Sequence, residues 1–115
     1  MKDIKIIGTT VILPSILEEE SRNFYVENLG FQLLPNGNVK NDNLSINFVQ
    51  IGADNFSNSR SAKVEDCKVV LQYEDLSLID LSKMDVINGY EVPYGRFIYV
   101  KDIAGNIICL SELYA

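Results

Sequence analysis

The sequence predicts an α+β fold built from two βαβββ units, and three observations lead there. Several short segments alternate apolar and polar residues with the period of a strand. One segment directly after the first strand carries both helix-start and helix-stop signals. A polar stretch rich in Asn and Ser then divides the chain into halves with the same element order, a weak internal repeat. The 115 residues suit a single domain over 1–115, with the first unit at about 4–51 and the second at about 62–114.

The first strand is read as Ile4 to Leu13, rich in β-branched residues, and it stops at Pro14, which cannot donate to a ladder. A helix follows over Ile16 to Leu29. Ser15 suits its N-cap, Glu18 stands three residues on as in a capping box, and Glu18, Glu19 and Glu20 place negative charge at the positive end of the macrodipole. Gly30 is placed to end it in the left-handed conformation. Phe31 to Pro35 reads as a short strand, Asn36-Gly37 as a hairpin turn and Asn41 to Asn43 as a second turn. Leu44 to Gln50 then alternates, with Leu44, Ile46 and Phe48 on one face. Gly52 to Ser61 is a polar linker.

The second half restarts with a strand over Cys67 to Tyr73, whose odd positions Cys67, Val69, Leu71 and Tyr73 are apolar. A weakly helical segment from Leu76 to Met84 comes next. A short extended piece at Tyr90 to Val92 precedes strands over Arg96 to Lys101 and Asn106 to Leu113. Between these last two, Asp102 can accept backbone N–H bonds and Gly105 supplies a positive φ for a tight turn.

Composition narrows function. Hydrophobic residues make up 47% and charged residues 23%, which fits a packed core rather than a disordered chain. No apolar run approaches a membrane span, and no signal-type stretch follows Met1, so a cytoplasmic protein is expected. The net charge of −6 argues against nucleic acid, whose phosphates need Lys and Arg. With no histidine at all, Ser-His-Asp and Cys-His nucleophiles, an HExxH zinc site and a two-His facial triad are excluded. Cys67 and Cys109 lack a CxxC spacing and are expected to be reduced, packed thiols.

Two stretches resemble the vicinal oxygen chelate superfamily, which includes glyoxalase I, extradiol dioxygenases, fosfomycin-resistance enzymes and bleomycin-resistance proteins. The first runs from Val11 to Pro14 and continues through Ser21, Phe24, Tyr25, Leu29, Gly30 and Phe31, similar to the family's S-x-x-F-Y-x-x-x-L-G-F helix end. The second joins Pro93, Tyr94, Gly95 and Arg96 to Asp102, Gly105, Asn106 and Leu110, similar to P-W-G followed by D-P-x-G-N-x-x-x-L. Tyr94 stands where the family usually has Trp, Ile103 where it has Pro, and the region from Leu76 to Pro93 is shorter than is typical. The resemblance covers nearly the whole chain.

It implies that each unit curls into half of a cup-shaped mixed sheet with helices on the convex side. Strand alternation then lines the cup with Thr10, Ile12, Ser45, Asn47, Lys68, Val70, Gln72, Phe97, Tyr99, Ile107, Cys109 and Ser111. The family's metal-ligand positions fall at Thr10, Lys68, Cys109 and either Asn47 or Ser45, none of them His or carboxylate. An ammonium among them repels a divalent cation, and one thiolate cannot hold such an ion in an open site. The resemblance therefore implies the metal-free, bleomycin-resistance-like branch. Its members are homodimers that sequester a drug by binding and so confer antibiotic resistance, with no catalytic residue, metal or cofactor.

The ligand-binding residues expected on this reading are Thr10, Ile12, Asn47, Lys68, Val70, Gln72, Tyr94, Arg96, Phe97, Tyr99 and Cys109, with a small molecule, cationic or aromatic, held in the concave sheet or at a dimer interface. Each has a plainer alternative. Lys68 can snorkel to water, Cys109 can be packing, Arg96 can pair with a carboxylate, and the aromatics can be core. Two other functions stay open: a non-enzymatic interaction or regulatory module with its cup filled, and a metal-independent glyoxalase-like enzyme using Lys68, Cys109 or a Tyr.

Overall fold

The structure is a computed structural model, and it describes residues 2–50 and 63–114. Its elements are β1 (Thr9–Ser15), α1 (Glu18–Leu29), β2 (Gln32–Leu33), β3 (Val39–Asn41), β4 (Leu44–Gln50), β5 (Val70–Gln72), β6 (Asp85–Val92), β7 (Gly95–Lys101) and β8 (Ile107–Leu113). They form two four-stranded mixed sheets of identical order, β1-β4-β3-β2 and β5-β8-β7-β6. In each, the first strand runs parallel to the last and the other pairs are antiparallel. This is the two-unit α+β architecture that the repeat predicts, in the cup-shaped form that the resemblance implies.

Several elements differ from expectation. β1 begins at Thr9, not Ile4; residues 2–8 are extended but make no ladder. Pro14 lies inside β1 rather than beyond it, because β1 is a sheet edge and the missing N–H faces away from β4. The helix starts at Glu18, with Leu17 at its N-cap and no side-chain cap. Ser15 Oγ still serves the helix entrance from two residues upstream, accepting from Leu17 N at 2.9 Å and sharing a buried 2.9 Å hydrogen bond with Ser21 Oγ. Glu18 pairs with Arg22 at 3.2 Å instead of closing a capping box. Gly30 ends α1 at φ 79°, as expected.

In the second unit no α-helix forms. Two 3-10 turns, Leu76–Leu78 and Leu81–Lys83, replace it, each opened by an Asp whose carboxylate accepts from the Ser two residues on (Asp75 to Ser77, 3.0 Å; Asp80 to Ser82, 3.1 Å). The two Asp caps break the segment from Leu76 to Met84 into separate turns, and β6 then runs from Asp85 to Val92, well beyond the Tyr90 to Val92 expected. The proposed linker from Gly52 to Ser61 lies outside the described residues.

The single described α-helix packs on the first sheet and contributes to a core shared with the second. Its Tyr25 is fully buried, with ring centroids 5.4 to 5.5 Å from Phe24, Phe31 and Phe48. One core cluster takes in Leu13, Leu29, Ile46, Leu71, Ile98 and Leu110, drawn from both units. Polar contacts join the units too: Tyr25 donates to Asp102 Oδ2 at 2.8 Å, Asn106 Nδ2 to the Pro14 carbonyl at 2.9 Å, and Tyr73 to the Leu29 carbonyl at 2.7 Å.

Candidate functional site

The faces turned away from α1 follow from strand alternation and register. On the second sheet, Val70 pairs with Cys109, Cys109 with Tyr99 and Tyr99 with Asn88; the next row runs Gln72, Ser111, Phe97, Tyr90. The intervening residues Leu71, Leu110, Ile98 and Val100 point into the core. On the first sheet, Thr10 pairs with Ser45 and Ile12 with Asn47, while Val11, Leu13, Ile46 and Phe48 pack inward. Ile12 is 64% and Val70 57% exposed, so apolar surface lies open on both sheets.

The second sheet builds an aromatic row. Tyr90 stacks on Phe97 with centroids 5.0 Å apart and planes at 21°, and on Tyr99 at 6.4 Å and 29°. Tyr94, at the β6–β7 turn, meets Phe97 edge-on at 6.4 Å. Cross-strand pairing fixes this geometry: β6 and β7 are antiparallel neighbours, with Tyr90 directly opposite Phe97. A register irregularity between Val86 and Asn88 helps to aim the outer half of β6 at this face. Tyr90 had no place among the expected ligand residues. It lies within the extended piece expected at Tyr90 to Val92, but only the antiparallel register with β7 sets it opposite Phe97.

Electrostatically the row is neutral. Loss of solvent, together with Cys109 and Tyr90 alongside, pushes the Tyr99 hydroxyl up to about 12. Burial likewise raises the Cys109 thiol. Cys109 is fully buried and Ser111 nearly so, which leaves Val70, Gln72, Phe97, Tyr99 and Tyr90 as the accessible part of this face.

Other expected residues fall elsewhere. Lys68 N donates to the Ile107 carbonyl at 2.8 Å, whereas the Val70–Cys109 register assigns that carbonyl to residue 69. The extra residue is a bulge, which offsets the alternation and takes exposed Lys68 off the face of Val70 and Gln72. Arg96 shares the parity of Ile98 and Val100 and lies opposite Glu91 and Glu112, on the face away from the aromatic row. Thr10, Ile12 and Asn47 sit together on the first sheet's outer face, apart from the aromatics.

No donor set for a divalent ion forms from these residues. The positions that the resemblance assigns to ligands carry Thr10, Lys68, Cys109 and Asn47 or Ser45, with Lys68 turned off the cup and the Cys109 thiol held protonated. Among the described residues, no three His, Cys, Asp or Glu side chains converge as a metal centre. Nor is any described helix long and apolar enough to cross a membrane.

No family model matches this sequence. No curated protein matches it either. Solved structures do. TnmS3, an antibiotic-binding protein from Streptomyces sp. CB03234, superposes with a TM-score of 0.69 at 21% identity, covering 99% of this chain and 100% of its own. A putative glyoxalase family protein from Bacillus anthracis gives 0.65 at 21%, covering 99% of each chain. The bleomycin-binding protein of Streptomyces verticillus, solved with copper(II)-bleomycin, gives 0.61 at 18%, covering 98% of this chain and 99% of its own. Near-complete coverage at TM-scores of 0.61 to 0.69 gives this chain the fold of these proteins, the vicinal oxygen chelate fold that the resemblance implies.

Proposed function

We propose that the protein is a metal-independent binding protein that sequesters a flat, uncharged aromatic small molecule on the concave face of its second sheet, working as a homodimer and without chemical change to the ligand. One observation carries the reading: the solvent-facing row of Tyr90, Phe97 and Tyr99, extended by Tyr94, offers stacked ring faces flanked by Val70 and Gln72. The amides of Gln72 and Asn88 provide orienting hydrogen bonds at its border. A cationic ligand is disfavoured here, since the acidic side chains that make the chain negative lie off this row. The antibiotic-binding and bleomycin-binding proteins of the same fold support sequestration as the mode of action. The Cys109 thiol beside Tyr99 is fully buried and raised by that burial, with no base paired to it, so the enzymatic reading has no activated nucleophile to start from.

Isothermal titration with a panel of neutral planar aromatics, against aliphatic polyamines as the cationic comparison, tests this. Binding is expected for the aromatics alone, unchanged after dialysis against a chelator, with Phe97→Ala and Tyr90→Ala each weakening it by about 10-fold or more, the worth of a lost stacking partner. Unaltered affinity in both variants would refute the assignment, as would recovery of a converted ligand.

A further inference from the structure

An asparagine followed by glycine exposes its side-chain amide to attack by the next backbone nitrogen, because glycine has no Cβ to crowd the approach. The chain carries this dipeptide twice, at Asn36-Gly37 and Asn88-Gly89, and both asparagines are exposed. The fold treats the two sites in opposite ways.

At Asn36 the reacting groups are held apart. Asn36 Oδ1 accepts from Asn38 N at 3.0 Å, an Asx turn that carries the carboxamide past Gly37. Gly37 N is itself engaged, donating to the Leu34 carbonyl at 3.0 Å. Arg22 Nε pins the same turn by donating to the Gly37 carbonyl at 2.7 Å.

At Asn88 they are brought together. Gly89 N donates to Asn88 Oδ1 at 2.8 Å, so Cγ, one carbonyl bond further on, stands within about 4 Å of the nitrogen that attacks it. The register leaves that nitrogen outside the ladder. Tyr114 N bonds to the Tyr94 carbonyl, so even-numbered residues of β7 turn their backbone groups to β8 and odd-numbered ones to β6. Gly89 lies opposite Ile98, in a pair without ladder bonds, and its N–H points outward from β6, the edge of the sheet. The irregularity between Val86 and Asn88 breaks the ladder just upstream.

We propose that Asn88 is a self-modifying site of the folded protein, converting to aspartate and isoaspartate with loss of ammonia. Gly89 N gives its proton to solvent and bonds to Asn88 Cγ. The Cγ–Nδ2 bond breaks, solvent returns a proton to the leaving nitrogen, and ammonia departs from a five-membered succinimide. Water then adds to a ring carbonyl and the adjoining C–N bond breaks: at Cγ this gives aspartate, at the backbone carbonyl isoaspartate. One water is consumed, one ammonia is released, and nothing is oxidised or reduced. Either product leaves a carboxylate at position 88, opposite Tyr99 at the border of the aromatic row. Isoaspartate also lengthens the backbone of β6 by one carbon, which shifts Tyr90 against Phe97. The modification stands on the geometry of the two sites; only its effect on a ligand rests on the binding proposed above.

Incubation of the full chain at neutral pH, followed by peptide mapping with isoaspartyl methyltransferase labelling, tests it. In the folded protein position 88 is expected to convert about 10-fold or more faster than position 36, and in urea the two rates are expected to converge. Gly89→Ala, whose added Cβ meets nothing nearer than 3.4 Å, is expected to stay folded and to slow conversion at position 88 by about 10-fold or more. Equal rates at the two sites in the folded protein overturn the proposal, as does a difference that persists in urea and so owes nothing to the fold. Converted protein, separated by anion exchange, is expected to bind the neutral aromatics about 5-fold more weakly for want of the amide donor. Complete conversion with affinity unchanged would remove Asn88 from the ligand reading and leave the modification standing.

Discussion

Asp102 shows how one buried side chain can hold two halves of a molecule. Only 5% exposed, it accepts from Ala104 N, Asn106 N, Asn106 Nδ2 and the Tyr25 hydroxyl at 2.8 to 3.1 Å, joining the β7–β8 turn to α1. Burial nevertheless raises its carboxyl above the ordinary range, overriding those hydrogen bonds, and drives the Tyr25 hydroxyl well up as well. A carboxyl raised in the folded state binds its proton more tightly there than in the unfolded chain. Its contribution is therefore full below the unfolded value, near 3.9, and is lost as pH rises through the folded one. Asp102→Asn removes this titration and leaves an amide donor facing Tyr25 and Asn106. We expect the variant to be destabilised by about 1–3 kcal/mol at neutral pH. As pH falls toward 4, unfolding in urea should show the unaltered protein gaining further on the variant. A gap that is constant with pH would mean that Asp102 does not titrate between the folded and unfolded states. The Asp102-to-Asn106 turn is legible in the sequence because local backbone bonding decides it. Tyr25 as partner of Asp102 is not, because that contact spans 77 positions.

Among elements, legibility follows the range of the interactions that set them. The Gly30 cap, the alternation of β4 and the turn at Gly105 depend on neighbours and read correctly from residue type. The start of β1 does not. Ile4 to Gly8 has the composition of a strand, but β4 begins at Leu44 opposite Thr9, so no partner exists for the earlier residues. The second helix fails for a local reason, the segment from Leu76 to Met84 being broken into two short turns by the caps at Asp75 and Asp80. Lys68 was misplaced by a one-residue bulge, which no side-chain pattern announces. β7 offers a sharper test of packing between elements. A Cβ added to Gly95 would stand 2.8 Å from the Glu112 carbonyl and 3.0 Å from Leu113 Cδ2, while one on Gly89 would meet nothing nearer than 3.4 Å. Since the first obstacle is backbone, β7 and β8 would have to separate. Gly95→Ala is expected to cost about 1–3 kcal/mol by thermal unfolding, against a change within about 0.5 kcal/mol for Gly89→Ala. Equal shifts in the two variants would mean that the β7–β8 contact is not what fixes glycine at position 95.

Across the whole molecule, the division of labour between sheets bears on how binding responds to its surroundings. The first sheet turns hydroxyl, amide and aliphatic side chains outward, the second a row of rings, and the carboxylates gather instead around the cleft between them. Neither Tyr99, at about 12, nor the Cys109 thiol, raised by burial, changes charge near neutrality. A ligand stacked on that row meets the same neutral surface from about pH 6 to 9. Its dissociation constant should therefore vary by less than about 2-fold over that interval and respond little to salt. Calorimetry carried through a pH series and a salt series checks both. If ligand affinity instead falls steeply with salt, a charged group takes part in binding and stacking on the rings does not account for it.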